Sequence, residues 1–125
     1  GKVGRHLQEA LIVANNYTNY NKPSNQVVLE LGTNGDFTQD ELDQLISKFG
    51  KAKIYLVNTR VPRSWQDNVN KQLSDAAKRH KNVVLVDWYK RSAGHTEYFA
   101  SDGVHLEHSG VQALSDEILK NMTKK

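Results

Sequence analysis

Three short apolar runs, each rich in β-branched residues, constrain the fold of this chain more than any other feature. They cover residues 27–31, Lys53–Val57 and Val83–Val86. Runs this short and this apolar are typical of strands that are buried on both faces, as in a parallel sheet. Segments with helical periodicity separate them, and such alternation predicts βαβ units. We therefore expect an α/β fold, a three-layer α/β/α sandwich around a parallel sheet.

The spacing of the apolar residues predicts four helices, over residues 6–20, 38–49, 64–80 and 111–122. Thr38 followed by Glu41 is the pattern of a capping box at the start of the second helix. Ser64 and Ser109 are expected to cap the third and fourth helices through their hydroxyl groups. Residues 88–100 are rich in aromatic side chains and are expected to be irregular.

The length and composition of the chain fit one globular domain. It has 125 residues and a formal net charge of +3, and a chain of this size builds a single core. It contains no cysteine, which excludes disulfides and thiolate chemistry within it. No apolar run is long enough to span a membrane, and no motif or basic face indicates nucleic-acid binding. Because the chain begins abruptly at Gly1, we expect it to be a piece of a larger protein.

Two loops are the candidates for chemistry, because ligands bind outside the carboxyl ends of parallel strands. In the loop at 101–110, Asp102 precedes His105 by three residues. An acid in this position can hold the imidazole Nδ1 and leave Nε2 to activate a hydroxyl group. In the loop at 32–35, the Asn34 carboxamide can donate an N–H to a developing oxyanion. Asp-Gly and Asn-Gly are also common turn signals, so turns without function remain the alternative for both loops.

Other residues are weaker candidates for a site. His108 follows His105 at a spacing that suits a metal, but no third ligand is evident, so we expect no metal.

Four further residues are candidates for substrate binding: Gly35, Arg63, Trp88 and Tyr98. A glycine lets a substrate approach closely, a guanidinium pairs with carboxylates and aromatic rings stack on sugars. Packing in the core or in a lid is the alternative for the two aromatic side chains.

The same motifs resemble those of a known enzyme superfamily. Residues 28–35, Val-Leu-Glu-Leu-Gly-Thr-Asn-Gly, resemble the third block of the SGNH hydrolases, and residues 102–105, Asp-Gly-Val-His, resemble the fifth. Gly4, thirty positions before Asn34, resembles the glycine of the second block. A closer resemblance is to the extracellular catalytic domain of OatA-type peptidoglycan O-acetyltransferases of Gram-positive bacteria. It runs along nearly the whole chain and rests on residues 54–57, 60–63, 86–89 and 92–95.

The resemblance implies a catalytic role for four residues. His105 would be the general base and then the general acid, and Asp102 would orient it. Asn34 would donate a side-chain N–H to the oxyanion hole, and Gly4 would donate a backbone N–H. The loop at 101–110 and the loop at 32–35 would thereby meet around the reacting carbonyl group.

One part of the family pattern is absent from the sequence. The family nucleophile is a serine in a Gly-Asp-Ser block at the end of the first strand, and the sequence contains no such block. We expect residues 1–125 to be an SGNH-type catalytic domain without its first strand, with the nucleophilic serine upstream of Gly1. The polypeptide alone is expected to be inactive, because a site without its nucleophile keeps only a small residual rate.

The function that the resemblance implies is O-acetylation of peptidoglycan. An acetyl group would pass through the serine to muramic acid hydroxyls in the glycan chains of the cell wall. A membrane acyltransferase domain of the same protein would supply the acetyl donor, which places this chain at the extracellular face of the cell membrane. Ser-His-Asp chemistry requires no cofactor. Two alternatives remain open: an SGNH acetyl esterase that acts on glycans or small esters, and, because the serine is missing, a non-catalytic wall-binding domain.

Overall fold

A computed structural model describes residues 13–14, 26–32 and 35–123 of the chain. These residues contain four strands, β1 (Val13–Ala14), β2 (Gln26–Glu30), β3 (Lys53–Val57) and β4 (Val83–Val86). They also contain four α-helices, α1 (Gln39–Ser47), α2 (Gln66–Arg79), α3 (Trp88–Arg91) and α4 (His108–Thr123). A 3₁₀ turn at Thr96–Tyr98 lies between α3 and α4. None of the helices in the described ranges is long and apolar enough to cross a membrane.

The strands form one sheet in the order β1–β2–β3–β4. β2, β3 and β4 run parallel, in a register that aligns Val27 with Ile54 and Ile54 with Val83. The α/β architecture with a parallel sheet, predicted from the three apolar runs, is therefore confirmed. β1 lies on the outer side of β2 and is antiparallel to it, pairing Val13 with Val28.

Helices cover both faces of the sheet, which explains why the strands are apolar throughout. Successive side chains of a strand point to opposite faces. Ile54 and Leu56 of β3 join the core against α1 and α2. Tyr55 and Val57 of the same strand join the core against α3 and α4. Removal of this apolar surface from water, at roughly 25 cal/mol per Å², is the main term that stabilises the fold.

The capping box predicted at the start of α1 is confirmed. The Thr38 hydroxyl accepts the backbone N–H of Glu41 at 3.1 Å, and the Glu41 carboxylate accepts the backbone N–H of Thr38 at 2.8 Å. The two bonds satisfy amide groups that have no partner within the helix. Gly50, with a φ of +57°, follows the helix and turns the chain toward β3.

The predicted helix over residues 6–20 is wrong at Val13 and Ala14, which form β1. The rest of that segment lies outside the described residues. The outer edge of β2 offers backbone N–H and C=O groups that require partners, and pairing with two residues of extended chain supplies some of them. A β-branched residue such as Val13 also fits a strand better than a helix.

The predicted N-cap at Ser64 is also wrong. α2 begins at Gln66, with Trp65 at the N-cap and without a side-chain hydrogen bond that caps the helix. The amide of Gln66 instead donates to the carbonyl of Arg63, 3.2 Å away. Because of this turn, α2 begins only after Trp65, and the Trp65 side chain contacts a neighbouring loop.

The predicted N-cap at Ser109 is wrong because α4 begins one residue before it. Ser109 therefore lies in the first turn, and its hydroxyl donates to the carbonyl of Glu97 at 3.2 Å.

Residues 88–100, which we expected to be irregular, contain α3 and the 3₁₀ turn. The Asp87 carboxylate caps α3 by accepting the amide of Lys90, so this segment is more regular than its aromatic composition indicates.

Gly110, in the first turn of α4, lies against the backbone of Tyr98. A Cβ at this position would be 2.2 Å from the Tyr98 carbonyl oxygen. Helix propensity alone predicts that Gly110→Ala stabilises the protein by about 1 kcal/mol. We expect the opposite sign, a loss of about 2 kcal/mol or more in urea unfolding, because backbone must move to admit the methyl group. Val111→Ala, at an exposed neighbour, is the control, and an unchanged stability for Gly110→Ala would contradict this packing.

Glu30, the last residue of β2, is partly buried, and its carboxyl group has no hydrogen-bond partner among the described residues. Burial raises the pKa of its carboxyl group, because the charged form loses solvation there. A raised folded-state pKa means that ionisation of Glu30 opposes folding as the pH rises through that value. Below the unfolded-state pKa the group is protonated in both states and this effect is absent.

We therefore expect Glu30→Gln to raise the Tm at pH 7 and to have little effect at pH 4. Thermal unfolding followed by circular dichroism at the two pH values measures both differences. Asp116→Asn, which removes an exposed carboxylate from α4, controls for the change in net charge. A Tm at pH 7 that falls in Glu30→Gln, or rises equally in both variants, would show that burial of this charge does not oppose folding.

Candidate active site

The Asp102–His105 motif lies in a loop whose two ends are tied together. Phe99 and Leu106 form an antiparallel bridge, and the amide of Ala100 donates to the carbonyl of His105 at 2.8 Å. The bridge holds the loop immediately before α4, so the four residues of the motif form a closed turn of fixed shape. The sequence signal for this turn is Asp-Gly, at positions 102 and 103.

Asp102 and His105 contact each other in the orientation expected from the sequence. The Asp102 Oδ2 atom lies 2.5 Å from His105 Nδ1. Its Oδ1 atom accepts the backbone N–H groups of Val104 at 2.8 Å and of His105 at 3.0 Å. The Val104 amide, the His105 imidazole and the His105 amide together lower the pKa of Asp102 to about 2. The carboxylate is therefore charged at any physiological pH.

This contact determines which imidazole nitrogen is available for chemistry. Because the carboxylate accepts at Nδ1, the neutral ring carries its proton there and Nε2 keeps its lone pair. The His105 side chain is 82% exposed, and Nε2 has no hydrogen-bond partner among the described residues. An imidazole held in this way can act as a general base toward a hydroxyl group and then as a general acid.

Gly103 seats the loop against the segment that follows β3. Its φ is +74°, a left-handed conformation that glycine adopts without strain. A Cβ at this position would lie 3.0 Å from Cγ of Pro62. The close approach of Gly103 to Pro62 fixes the position of the Asp102–His105 pair relative to the carboxyl end of β3.

The loop at residues 58–63 is itself fastened to α2. The Asn70 side chain accepts the amide of Thr59 at 2.9 Å and donates to the carbonyl of the same residue at 2.8 Å. The Gln66 side chain accepts the amide of Val61 at 3.0 Å. These three bonds satisfy backbone groups that have no strand partner, so the loop keeps one conformation.

α2 also holds the loop that follows β2. The Trp65 indole donates to the carbonyl of Gly32 at 2.8 Å. Gly32 has a φ of +98°, and a Cβ there would lie 2.6 Å from Val69 Cγ1, so only glycine fits against the helix. The two predicted oxyanion-hole residues, Asn34 and Gly4, lie outside the described residues.

The far end of the same loop is held by two further side chains of α2. The Asp36 carboxylate accepts Nδ2 of Asn68, with 2.9 Å to each oxygen. Nε2 of Gln72 donates to the carbonyl of Phe37 at 2.5 Å. Gly35, predicted to admit substrate, is buried and directly precedes these two anchored residues. The loop that contains Asn34 thus starts and ends at fixed points on α2.

An open groove of about 460 Å³ adjoins the Asp102–His105 loop at Gly103. Most of its walls are apolar, and its polar side chains include two that sequence analysis did not select, Arg60 and Thr96. No local motif marks either residue, because the groove forms only when the segments after β3 and β4 come together. A cavity of this size and lining is typical of ligand sites.

The two aromatic candidates for sugar binding lie in the core. Trp88 is 3% exposed and Tyr98 is 8% exposed, and their rings stack on each other with centroids 5.7 Å apart. Core packing, the alternative that the sequence left open for both, describes their positions. Arg63 is exposed, and among the described residues its Nη1 donates only to the carbonyl of Pro62.

Neither His95 nor His108 joins the Asp102–His105 pair. His95 Nδ1 lies 2.9 Å from the Glu97 carboxylate, and the His95 ring stacks on Tyr98. In the part of the chain that the structure describes, no group of three His, Asp or Glu side chains is placed to hold a metal ion. His108 is an exposed residue of α4, which makes it a useful control for His105.

Comparison with known proteins identifies relatives along the whole chain, although no family model matches it. A protein of Staphylococcus aureus strain COL, provisionally named an O-acetyltransferase, is 68% identical over 126 residues, which is 100% of this chain and 21% of that protein. The O-acetyltransferase OatA of S. aureus strain NCTC 8325 is 56% identical over 123 residues, 98% of this chain and 20% of that protein. This chain is a homologue of one segment of the O-acetyltransferases.

The similarity to OatA and its relatives covers the two candidate loops as well as the strands. The chain spans about a fifth of the length of the curated relatives that it matches. An identity of 56–68% across that span shows homology to this one segment of the O-acetyltransferases. It agrees with the closer of the two resemblances seen in the sequence, that to the OatA-type enzymes.

The low pKa of Asp102 gives a direct test of the site geometry. We expect the carboxyl group to titrate near pH 2 by ¹³C NMR, and its stabilising contribution to be lost as the pH falls from the ordinary value toward that pKa. In His105→Ala the pKa should rise only part of the way, because the largest cause is the Val104 amide. A return to the ordinary value would mean that the backbone bonds are absent, and no change would mean that the imidazole contact is absent.

Proposed function

We propose that this chain carries the general base of a peptidoglycan O-acetyltransferase and the acid that orients it. One observation carries the proposal. His105 is bound through Nδ1 to the charged Asp102, and its exposed ring leaves Nε2 without a partner among the described residues, in a chain homologous to the O-acetyltransferases. An orienting carboxylate and an exposed Nε2 are what acyl transfer through a hydroxyl nucleophile requires.

The proposed reaction proceeds through an acetyl-serine. His105 Nε2 removes the proton of a serine hydroxyl as its oxygen attacks the acetyl carbonyl carbon, and the carbonyl becomes an oxyanion. The oxyanion accepts N–H groups from the Asn34 side chain and the Gly4 backbone. When the tetrahedral intermediate collapses, the imidazolium returns the proton to the leaving oxygen of the donor.

The second half of the reaction reverses these roles. His105 removes the proton of a muramic acid hydroxyl, whose oxygen attacks the acetyl-serine. Collapse of the second intermediate breaks the serine ester, and the imidazolium returns the proton to serine. Asp102 stays ionised throughout, because its pKa lies near 2, and its charge stabilises each imidazolium.

The serine of this scheme belongs to chain upstream of Gly1, together with one further strand of an SGNH-type domain. The outer edge of β2 supports this. Among the described residues only Val13 and Ala14 pair with it, although the side chains at its centre are fully buried. The proposal places the further strand at this edge, where it would extend the parallel sheet.

The location of the reaction follows from its acceptor. Peptidoglycan lies outside the cell membrane, so the proposed domain works at the extracellular face. The acetyl donor reaches it from a membrane acyltransferase domain of the same protein. The identity to OatA over about a fifth of that protein's length leaves room for such a domain in the full-length protein.

An SGNH acetyl esterase is the second candidate, and the exposure of His105 favours it. A side chain that is 82% exposed can activate water as readily as a sugar hydroxyl. Transfer and hydrolysis share the catalytic residues and differ only in the acceptor. An acetyl ester offered together with a chito-oligosaccharide separates the two: acetylated oligosaccharide means transfer, and free acetate alone means hydrolysis.

We expect His105→Ala to lower the turnover of a chromogenic acetyl ester by the full-length protein by about 10³-fold or more. The loss follows because the serine then has no base. His108→Ala removes an exposed imidazole three residues away and should keep wild-type turnover. Equal losses in the two variants, or full activity of His105→Ala, would contradict the assignment of the base.

The isolated chain of residues 1–125 should not turn over the same ester, because it lacks the proposed nucleophile. The comparison uses equal molar amounts of the isolated chain and the full-length protein. Turnover by the isolated chain at the rate of the full-length protein would place the nucleophile within these residues and would overturn this part of the proposal.

A further inference from the structure

Arg60 is held in one conformation at the wall of the groove beside the Asp102–His105 loop. Its Nε donates to Ser92 Oγ at 2.9 Å, and its Nη2 donates to the carbonyl of Tyr89 at 2.5 Å. The guanidinium carbon lies 4.0 Å from the centre of the Tyr89 ring, in stacking contact. Three contacts therefore fix the plane of the guanidinium group.

The Ser92 hydroxyl, which accepts the N–H of Arg60 Nε, is itself buried and held by a hydrogen bond. Ser92 is 1% exposed, and its hydroxyl donates to the carbonyl of Trp88 at 2.7 Å. Because the Ser92 hydroxyl uses its hydrogen in this bond, the lone pairs of Oγ can accept the N–H of Arg60. The rotamer freedom of a long cationic side chain is thus already lost before a ligand arrives, which lowers the entropic cost of binding.

Two polar groups on this wall of the groove are available to hydrogen-bond a ligand. Nη1 of Arg60 has no partner among the described residues, and the same holds for the Thr96 hydroxyl. Both residues line the groove, and no acidic side chain in the described part of the chain does. The remaining walls are largely apolar: Val61, Pro62, Phe99 and Ala100. The groove therefore combines one fixed cation and one hydroxyl with a surface for small apolar groups.

We infer that Arg60 determines acceptor specificity by binding a carboxylate that is carried on a short apolar stem. The inference rests on the proposed function, because it places this carboxylate beside the hydroxyl that His105 activates. A planar guanidinium matches a carboxylate better than it matches a neutral sugar hydroxyl. The stem contacts the apolar wall, and Thr96 donates to the second carboxylate oxygen.

Two parts of a muramic glycan present this chemistry. One is the lactyl ether on the sugar, a methyl-bearing carbon next to a carboxylate. The other is the peptide stem attached to that lactyl group, in which a small residue such as alanine carries the carboxylate onward. Glucosamine units of the same glycan carry neither group, so Arg60 would distinguish the two sugars.

Arg63, the arginine selected from the sequence, is less suited to this role. Its side chain is exposed, and the one hydrogen bond of that side chain among the described residues is to the carbonyl of the adjacent Pro62. A mobile surface guanidinium loses more conformational entropy on binding than one that is already fixed. Arg63 therefore provides the matched control: the same side chain and charge in the same loop, without the anchoring contacts.

The test measures binding to the chain by NMR titration, without any acetyl chemistry. The probes are N-acetylmuramic acid, N-acetylmuramoyl-L-alanine, the methyl ester of each, and N-acetylglucosamine. We expect at least one free acid to bind about tenfold more tightly than its ester. Arg60→Gln should abolish that difference, and Arg63→Gln should keep it. In the wild-type chain the preferred acid should shift the amide signals of Thr96, Ala100 and Gly103, which tests the inference without a variant.

The outcomes separate the alternatives. Preference for N-acetylmuramic acid identifies the lactyl carboxylate, and preference for the muramoyl-alanine alone identifies the stem. Equal affinity of both acids and their esters would overturn the inference, as would loss of the preference in Arg63→Gln rather than in Arg60→Gln. Acetyl-ester turnover that depends on His105 in a protein with no acid preference would refute the role of Arg60 and leave the proposed function intact.

Discussion

Polar side chains of α2 and of its N-cap residue fix two loops at the edge of the sheet, the loop that follows β2 and the loop at residues 58–63. The geometry of the candidate site depends on that constraint. Backbone groups in these loops have no strand to pair with, so side chains must satisfy them. Five polar side chains do this: Trp65 at the N-cap of α2, and Gln66, Asn68, Asn70 and Gln72 within the helix. Val69 and Leu73 of the same helix pack into the core between these polar side chains. The same helix therefore couples packing of the core to placement of the site.

The Asp102–His105 pair, the proposed base and its orienting acid, depends on that constraint as well. The Asp102–His105 turn rests by Gly103 on Pro62, which belongs to the loop fastened by α2. Within the turn, backbone amides as well as the imidazole hold the Asp102 carboxylate, so its charge does not depend on the protonation state of His105. The groove that Arg60 lines lies between the same two segments. The proposed base, the acid proposed to orient it and the proposed acceptor site thus share one support.

Much of this could be predicted from the sequence. The three parallel strands follow from apolar runs, the α1 cap from the Thr38 and Glu41 pattern, and the Asp102–His105 contact from a spacing that a turn brings together. Contacts between distant segments could not be predicted. Arg60 meets Ser92 and Tyr89 only after β3 and β4 pair, and the helix predicted across Val13 gave way to pairing with β2. Local patterns describe neighbours in the chain, whereas these features depend on tertiary contacts.

The central claim is that His105 serves a serine that lies outside residues 1–125. Mass spectrometry with peptide mapping tests it most directly, on full-length protein quenched shortly after mixing with an activated acetyl ester. We predict one acetyl group on a serine upstream of Gly1, and almost none in the His105→Ala variant. An acetyl group on Ser101 or on any other residue within this chain, formed at the rate of turnover, would contradict the account.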